Sequence, residues 1–196
     1  MITHLNGKII ELSPTHLILD CNGVGYYLNI SLNTFSKMNK SVDDKCLILT
    51  YLHIREDAHT LFGFFEQEER KIFLMLLSVS GIGASTAMMI LSSLNSNEIR
   101  MAILQEDIVT LKSIKGIGMK SAQRIIIDLK DKMTNLQLNQ GDVFIKSDNI
   151  KRNEALSALE TLGFSVKDIN KVLDSILSED PEISVEQVIK MSLKRL

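Results

Sequence analysis

Two copies of a Gly-Ile-Gly tripeptide, at residues 81–83 and 116–118, are the part of this sequence best suited to bind a charged ligand. Glycine permits a left-handed backbone and leaves no Cβ in the way of a group that approaches the main chain. A helix that starts directly after such a turn presents unpaired amide N–H groups at the positive end of its dipole. An anion, most commonly a phosphate, binds in a concavity of this kind.

The two tripeptides belong to an internal duplication. Residues 76–91 align with residues 111–126 at seven identical positions, with both glycines of each turn in register. Each copy predicts a helix, a Gly-Ile-Gly turn whose isoleucine fills the gap between helices, and a second helix. Paired helix-hairpin-helix elements of this form contact the phosphate backbone and not the base edges. The sequence therefore predicts DNA binding that does not depend on base sequence.

The second copy is the more basic of the two. Residues 112–132 carry a local charge of +4, from two aspartates and the six cations Lys112, Lys115, Lys120, Arg124, Lys130 and Lys132. Lys120 lies in the first turn of the following helix, and Arg124 follows one turn later on the same face. The first copy has Ser85 in place of Lys120, so we expect it to bind through amides and hydroxyls, with less counterion release. The predicted DNA-binding residues are Gly81, Gly83, Ser85, Gly116, Gly118, Lys120 and Arg124.

A second charged feature is the acidic turn Arg55-Glu56-Asp57-Ala58, which falls between two predicted strands. Charges at the tip of a hairpin are commonly just solvated. On a protein that holds phosphates elsewhere, however, two adjacent carboxylates would repel a nearby DNA backbone. Glu56 and Asp57 are therefore expected to separate strands and not to bind them.

Other catalytic and ligand-binding patterns are missing from the sequence. Neither Gly-Ile-Gly copy has the third glycine of a dinucleotide-binding fingerprint, and no GxxxxGK[ST] motif is present, which excludes a P-loop ATPase. The four histidines do not cluster at metal-ligand spacing, and no Ser/His/Asp or Cys/His grouping stands out. We therefore expect no catalytic residue, no metal and no cofactor.

Composition indicates a globular protein whose basic surface is local. The formal net charge is -2, from 22 Lys and Arg against 24 Asp and Glu, so any footprint for nucleic acid must be a patch. Cys21 and Cys46 fit no metal or redox spacing and are expected to be reduced thiols of a cytoplasmic protein. The N-terminus predicts no signal peptide, and the longest apolar run, residues 72–77, is too short to span a bilayer.

The binding turns must be positioned by a larger α+β framework. Residues 1–65 predict five short strands with turn signals at Ser13-Pro14, Asn22-Gly23 and Asp43-Asp44. Strands of this size favour a small closed barrel, which we assign as OB-like, although the sequence does not separate it from an SH3-like barrel. Residues 66–134 predict the tandem helix-hairpin-helix domain.

The remainder of the chain predicts a linker and a small helical domain. Residues 135–150 are rich in Gln, Asn, Gly and Asp without a lasting period, so we expect a flexible linker. Residues 151–196 predict three helices, the second and third opened by capping boxes at Ser165 with Asp168 and Ser184 with Gln187.

In this order of parts the chain resembles the RuvA family, bacterial proteins that bind Holliday junctions. The resemblance covers essentially the full length. Its most specific segments are Asn-Gly-Val-Gly-Tyr at residues 22–26, Arg-Glu-Asp-Ala at residues 55–58, and residues 116–132. The sequence Leu-Phe-Gly-Phe at residues 61–64 also matches, whereas the linker contributes nothing to the resemblance.

The resemblance implies a non-catalytic subunit that acts in branch migration during recombination, repair and the SOS response. RuvA proteins are homotetramers that hold a four-way junction open in a square-planar form, with one tetramer or two on the DNA. Their hairpins grip the minor-groove backbone of each arm. The acidic turns, here Glu56 and Asp57, meet at the junction centre as a pin.

The resemblance also implies protein partners. The C-terminal three-helix domain, which is UBA-like, docks on the hexameric ATPase RuvB, and the resolvase RuvC joins some complexes. By position, the residues that would contact RuvB are Leu159, Leu162 and Phe164. A place in the core of the three-helix bundle is an equal expectation for Leu159.

Two departures from the family pattern affect the hairpins. Ala84-Ser85 stands where family members often have Pro-Lys, which weakens the case for a side-chain phosphate contact there. Met119 replaces a frequent lysine, which leaves Lys120 as the expected direct contact.

Two other classes of function compete with the junction-binding hypothesis. A helix-hairpin-helix delivery subunit of a structure-specific nuclease or repair enzyme predicts cleavage that depends on a divalent metal. A protein-interaction scaffold with merely structural hairpins predicts negligible affinity for DNA.

Overall fold

The first part of the chain forms a closed five-stranded barrel. The computed structural model describes residues 1–141, 147–180 and 183–196, in two compact units, 1–138 and 139–196. The barrel order is β1-β2-β3-β5-β4, with β3 and β5 parallel and the remaining pairs antiparallel. The strands are β1 (His4–Leu12), β2 (His16–Cys21), β3 (Val24–Ile30), β4 (Lys45–Ile54) and β5 (His59–Phe64). This topology confirms the prediction of an OB-like barrel.

The barrel is filled by alternate residues of its strands, as the period of two requires. Ile9, Leu17, Leu19, Leu28 and Ile48 are completely buried and pack in one cluster. The turn between β2 and β3 has the two positive φ angles of a tight hairpin turn, 54° at residue 22 and 87° at residue 23. The Asn-Gly signal in the sequence was therefore correctly interpreted.

A short helix, α1 (Leu32–Met38), follows β3 and was not predicted. Ser31 caps its N-terminus by accepting the Thr34 N–H at 2.9 Å. Seven residues are too few to show the period of a helix, and the serine before them was the only local signal.

Helices make up the rest of the described chain and confirm the predicted change at residue 66. The first unit contains α2 (Gln67–Leu77), α3 (Ala84–Ser93), α4 (Ser96–Leu104), α5 (Ile108–Ser113) and α6 (Met119–Gly141) up to residue 138. The second contains α7 (Ser147–Thr161), α8 (Val166–Glu179) and α9 (Val185–Arg195). None of these helices, within the residues described, is long and apolar enough to cross a membrane.

The segment predicted as a flexible linker is helical at both ends. Residues 135–141 continue α6 and residues 147–150 begin α7, whereas residues 142–146 of that prediction lie outside the described residues. The sequence offers a physical reason for the first extension, because no glycine or proline interrupts α6 before Gly141.

An aromatic cluster joins the barrel to the helices. Phe62 and Phe64 of β5 pack on Phe73 of α2, with ring centroids 5.2 and 4.9 Å apart. All three belong to the core that the hairpin helices share, and Tyr51 of β4 adds an edge contact at 5.5 Å. Strand β5 and the hairpin helices therefore share one apolar core, beside the separate cluster inside the barrel.

A buried carboxylate forms a polar link between the same two parts. Glu69 of α2 is 2% exposed and accepts hydrogen bonds from the hydroxyls of Ser31 and Thr34, the latter at 2.6 Å. Thr34 Oγ1 in turn accepts the Phe65 N–H at 3.1 Å. Burial raises the pKa of the Glu69 carboxyl above 4.5, although both hydroxyl hydrogen bonds act against this rise.

The second unit is a three-helix bundle with its own core. Leu159, Ile169 and Leu173 are completely buried in it. The predicted capping box of α9 is confirmed, because Ser184 and Gln187 exchange both bonds. At α8, Ser165 accepts the Asp168 N–H, but its hydroxyl donates to the Asp168 carboxylate at 2.6 Å, which differs from the predicted box.

The raised pKa of Glu69 leads to a pH-dependent stability. A carboxyl whose pKa is higher in the fold than in the unfolded chain stabilises below its unfolded pKa, and this contribution is lost as pH rises through the folded value. We therefore expect the free energy of unfolding of the parent chain, relative to Glu69→Gln, to fall as pH rises from 4 to 8. Urea unfolding of both chains at several pH values measures this difference, and a flat or rising difference would show that the carboxyl is not destabilised by burial.

Candidate nucleic-acid interface

The two Gly-Ile-Gly turns have the same backbone geometry. The φ angle is 91° at Gly81 and 89° at Gly116, in the left-handed region that favours glycine. In each turn the isoleucine N–H donates to a carbonyl that lies just past the preceding helix, Ile82 to Val79 O at 3.0 Å and Ile117 to Ile114 O at 3.1 Å. The duplication in sequence is thus also a duplication in structure.

The central isoleucines point inward, as expected. Ile82 is 6% exposed and Ile117 is 5% exposed, and both belong to the core shared by the hairpin helices. Each isoleucine therefore anchors its turn, while the glycines on either side remain at the surface.

The second glycine of each turn stands where a helix begins without a side-chain cap. Gly83 is the N-cap of α3, and the Ala87 N–H makes the first helical bond to its carbonyl at 2.9 Å. Gly118 has the same relation to Ala122, also at 2.9 Å. By contrast, Ser, Asn or Asp side chains cap other helices of the chain, namely α1, α4, α5, α8 and α9. The first amides of α3 and α6 therefore lack the capping oxygen that those helices have.

The fold does not itself require glycine at these two positions. Neither Gly83 nor Gly118 has a positive φ, and a Cβ added at either would meet nothing within 4 Å. The space beside both amide groups is open, which suits close approach by a phosphate.

The basic residues of the second hairpin divide into two groups. Lys112, Lys115, Lys120 and Arg124 are exposed, and Arg124 also lies 4.0 Å from Asp128. Lys130 instead pairs with Glu106, whose pKa it lowers through a hydrogen bond, and Lys132 donates to Ser78 at 3.1 Å. Glu106 lies outside residues 112–132 and pairs with Lys130. The charge of +4 counted over those residues therefore overstates the positive charge available to a ligand.

The turn and the second helix of the first hairpin contain no cation, whereas its first helix, α2, contains Arg70 and Lys71. No Lys or Arg occurs between Lys71 and Arg100, a stretch that contains the turn and all of α3. Ser85 is exposed beside the turn, whereas Ala84 is 3% exposed and packs in the core. At the position equivalent to Ala84 in the second hairpin, Met119 is 48% exposed.

The acidic turn lies at the tip of the β4–β5 hairpin. The Arg55 N–H bonds to the Ala58 carbonyl at 2.9 Å and closes the turn. Glu56 and Asp57 are both exposed between these residues. Two negative charges thus stand at the end of a hairpin whose strands are fixed in the barrel.

The three residues expected to dock a partner differ in exposure. Leu159 is completely buried in the three-helix core, Leu162 is 58% exposed, and Phe164 packs partly buried against that core. Gly163, with φ of 96°, ends α7 in a left-handed cap whose bonds run from Phe164 N–H to Leu159 O and from Gly163 N–H to Glu160 O. The structure therefore supports the alternative expectation for Leu159, which is a place in the core of the bundle.

Helix α1, which the sequence analysis missed, holds both helices of the first hairpin. Its Asn33 side chain donates to the carbonyls of Leu91 and Leu94 at the end of α3, the latter at 2.9 Å. Ser31 and Thr34 hold Glu69 of α2. These pairs are separated by 35 to 61 residues, so no local pattern could reveal them.

Family models of known proteins match three parts of the chain. A family model described as the RuvA N terminal domain matches residues 1–63. A SAM-like helix-hairpin-helix tandem matches residues 73–131, and the RuvA C-terminal domain matches residues 151–196.

Full-length relatives give the same result. The chain is 52% identical to a protein of Christiangramia forsetii, 49% identical to one of Flavobacterium psychrophilum and 45% identical to one of Bacteroides thetaiotaomicron. Each comparison covers 100% of both chains, and each relative is named Holliday junction branch migration complex subunit RuvA.

The open space beside Gly118 separates the effect of a substitution on stability from its effect on binding. Serine is a better N-cap than glycine by a few tenths of a kcal/mol, so we expect Gly118→Ser to unfold at the same temperature or slightly higher. Its side chain would occupy the phosphate position and bond to the amides, so affinity for duplex DNA should fall about tenfold, the value of one charge-assisted hydrogen bond. Circular dichroism melts and fluorescence anisotropy measure the two quantities.

Gly25→Ser provides the matched control. Gly25 lies in β3 with no positive φ and no atom within 4 Å of an added Cβ. It should leave affinity for DNA unchanged. If Gly118→Ser binds DNA as well as Gly25→Ser does, the turn is not a phosphate site.

Proposed function

The chain belongs to the RuvA family, and from this premise we propose that it is the DNA-binding subunit of a Holliday junction branch migration complex, acting in recombination and repair. The main support for this proposal is that two Gly-Ile-Gly turns, each followed by a helix without a side-chain cap, lie on the same unit as an exposed acidic turn. The turns attract the DNA backbone and the acidic turn repels it. A nuclease delivery subunit is not favoured, because the relatives' names describe a branch migration complex.

The hairpins supply affinity, and selectivity for a junction comes from assembly. Contacts with phosphates are the same on every duplex, so one copy of the chain has no reason to prefer branched DNA. Four copies related by fourfold symmetry would present one pair of hairpins to each arm of a four-way junction. We therefore infer a homotetramer that holds the junction open and square-planar, either alone or with a second tetramer on the opposite face.

In that assembly the acidic turns form a pin at the junction centre. Glu56 and Asp57 of each copy would bring eight carboxylates near the point where strands exchange. Since like charges repel most strongly where water is displaced, such a cluster pushes the phosphate backbones apart. Strand separation at the pin would be sequence-independent, as branch migration requires.

The second unit provides the contact with a motor. We infer that it docks on the ATPase RuvB through a surface around Leu162 and Phe164, since Leu162 is an apolar side chain left 58% exposed on a small bundle. Energy for movement then comes from RuvB, so this chain needs no catalytic site, and RuvC would join to cut the junction. A bacterial chromosome lies in the cytoplasm, which is where the proposed function places the protein.

Junction specificity is the direct test of this function. An electrophoretic shift assay compares a four-way junction with linear duplex of equal total length, and we expect the junction to bind at least tenfold more tightly. The pair Glu56→Lys and Asp57→Lys should bind as tightly or more tightly, because repulsion is removed, but should lose preference for the junction. Equal affinity of the parent chain for both DNAs would refute junction binding, and cleavage of either DNA with Mg²⁺ would favour a nuclease.

Exposure of Leu162 permits a test of docking without unfolding. Leu162→Asp alters a surface position, so its effect on stability should stay within about 0.5 kcal/mol. Junction binding should be unchanged, whereas branch migration driven by RuvB should be lost. Leu193→Asp, at another exposed leucine of the same unit, is the matched control and should retain activity. Equal activity of the two variants would place docking elsewhere.

A further inference from the structure

A polar cavity lies between the acidic turn and the first hairpin. Its volume is about 230 Å³, enough for several water molecules or a phosphate group with its water shell. The barrel contributes Asn29, His53, Arg55 and Thr60 to its walls, and α3 contributes Ala84 and Ser85. The cavity therefore places a cation of the barrel beside the start of α3, a helix without Lys or Arg.

Arg55 is held in place by a side chain that rests on the core. Its Nε donates to His53 Nε2 at 3.0 Å. The His53 ring packs edge-on against Phe62, with centroids 6.5 Å apart, and lies 6.1 Å from Tyr51. The hydrogen bond to His53 holds the Nε atom of Arg55. The two terminal nitrogens of the guanidinium group can then donate a pair of hydrogen bonds to phosphate oxygens.

The charge balance of the cavity depends on Arg55. Asp57 also lines the cavity, and alone it would repel an anion. Arg55 offsets that charge in a cavity that Ser85 and Ala84, at the uncapped start of α3, also line. In the second hairpin the corresponding charge comes from Lys120, within the hairpin itself.

We propose that Arg55 is the phosphate-binding cation of the first hairpin, acting with Ser85 and the amides at the start of α3 on one DNA phosphate. This proposal rests on the proposed function and adds a residue to its binding site. It also means that attraction and repulsion come from consecutive residues of one turn. The DNA strand that Arg55 binds would pass directly beside Glu56 and Asp57.

A double-mutant cycle between barrel and hairpin tests the proposal. Full-length Arg55→Gln should bind both a four-way junction and linear duplex about tenfold more weakly, as expected for a lost charge-assisted contact. The slope of log affinity against log salt should fall by about 0.9 for each phosphate contact removed. Ser85→Lys should restore affinity and slope in the Arg55→Gln chain, and should improve the parent chain much less.

Two controls separate a phosphate contact from a general change of charge. Arg55→Gln with Asp57→Asn keeps the net charge of the acidic turn, so it should remain weak if the contact matters and recover if only repulsion had grown. Ser93→Lys adds the same charge as Ser85→Lys at the far end of α3, about 12 Å along the helix, and should not rescue. Thermal melts of every variant establish that it is folded. If the Gln variant does not fold, Arg55→Lys, which keeps the charge but loses the paired hydrogen bonds, should bind both DNAs more weakly than the parent chain.

The outcomes distinguish the two proposals. If the parent chain prefers the junction while Arg55→Gln keeps its affinity and salt slope, Arg55 is not a phosphate contact and the proposed function stands. If the parent chain binds both DNAs equally and Arg55→Gln weakens both, the phosphate contact stands and junction specificity fails. Equal rescue by Ser93→Lys and Ser85→Lys would overturn the assignment of Arg55.

Discussion

A helix that begins without a side-chain cap leaves amide N–H groups in need of an acceptor, and this constraint organises the first unit. Among the residues that the structure describes, side-chain oxygens cap α1, α4, α5, α8 and α9. Glu66 before α2 makes no such bond, and glycine, which has no side chain to offer, stands before α3 and α6. Neither Gly83 nor Gly118 is needed for backbone freedom or for internal space. The buried isoleucine of each turn packs in the apolar core and keeps the first N–H groups of α3 and α6 at the surface. A phosphate can accept hydrogen bonds from them there.

Contacts with a uniform phosphate backbone can select a branched DNA only if the groups that bind phosphate and the groups that repel it are held at fixed positions. Three contacts give that rigidity within the first unit: the aromatic cluster around Phe73, the hydroxyl bonds to Glu69, and the caps that Asn33 makes on α3. Through them the β4–β5 turn and the first hairpin are parts of one body. Arg55 adds a charge to this arrangement, since the barrel provides the cation that α3 lacks.

What could be predicted from the sequence was whatever is encoded locally. The Gly-Ile-Gly turns, the strand pattern and the Ser184 cap depend on neighbours within a few residues, and all appear in the structure. The hydroxyl bonds of α1 to Glu69, and the cavity that Arg55 shares with Ser85, depend on residues far apart in the chain. The extension of α6 beyond residue 134 was missed because polar composition was taken as a sign of a linker, although nothing in that stretch ends a helix.

A chain that holds a four-way junction open while it is bound must change the geometry of that DNA, which can be measured. Energy transfer between dyes on pairs of arms reports whether arms are stacked, as they are in free junctions with Mg²⁺, or spread at equal angles. When the chain binds, we expect the efficiency of energy transfer to become equal for every pair of adjacent arms. A saturated complex in which the unequal transfer of the stacked junction persists would contradict this expectation.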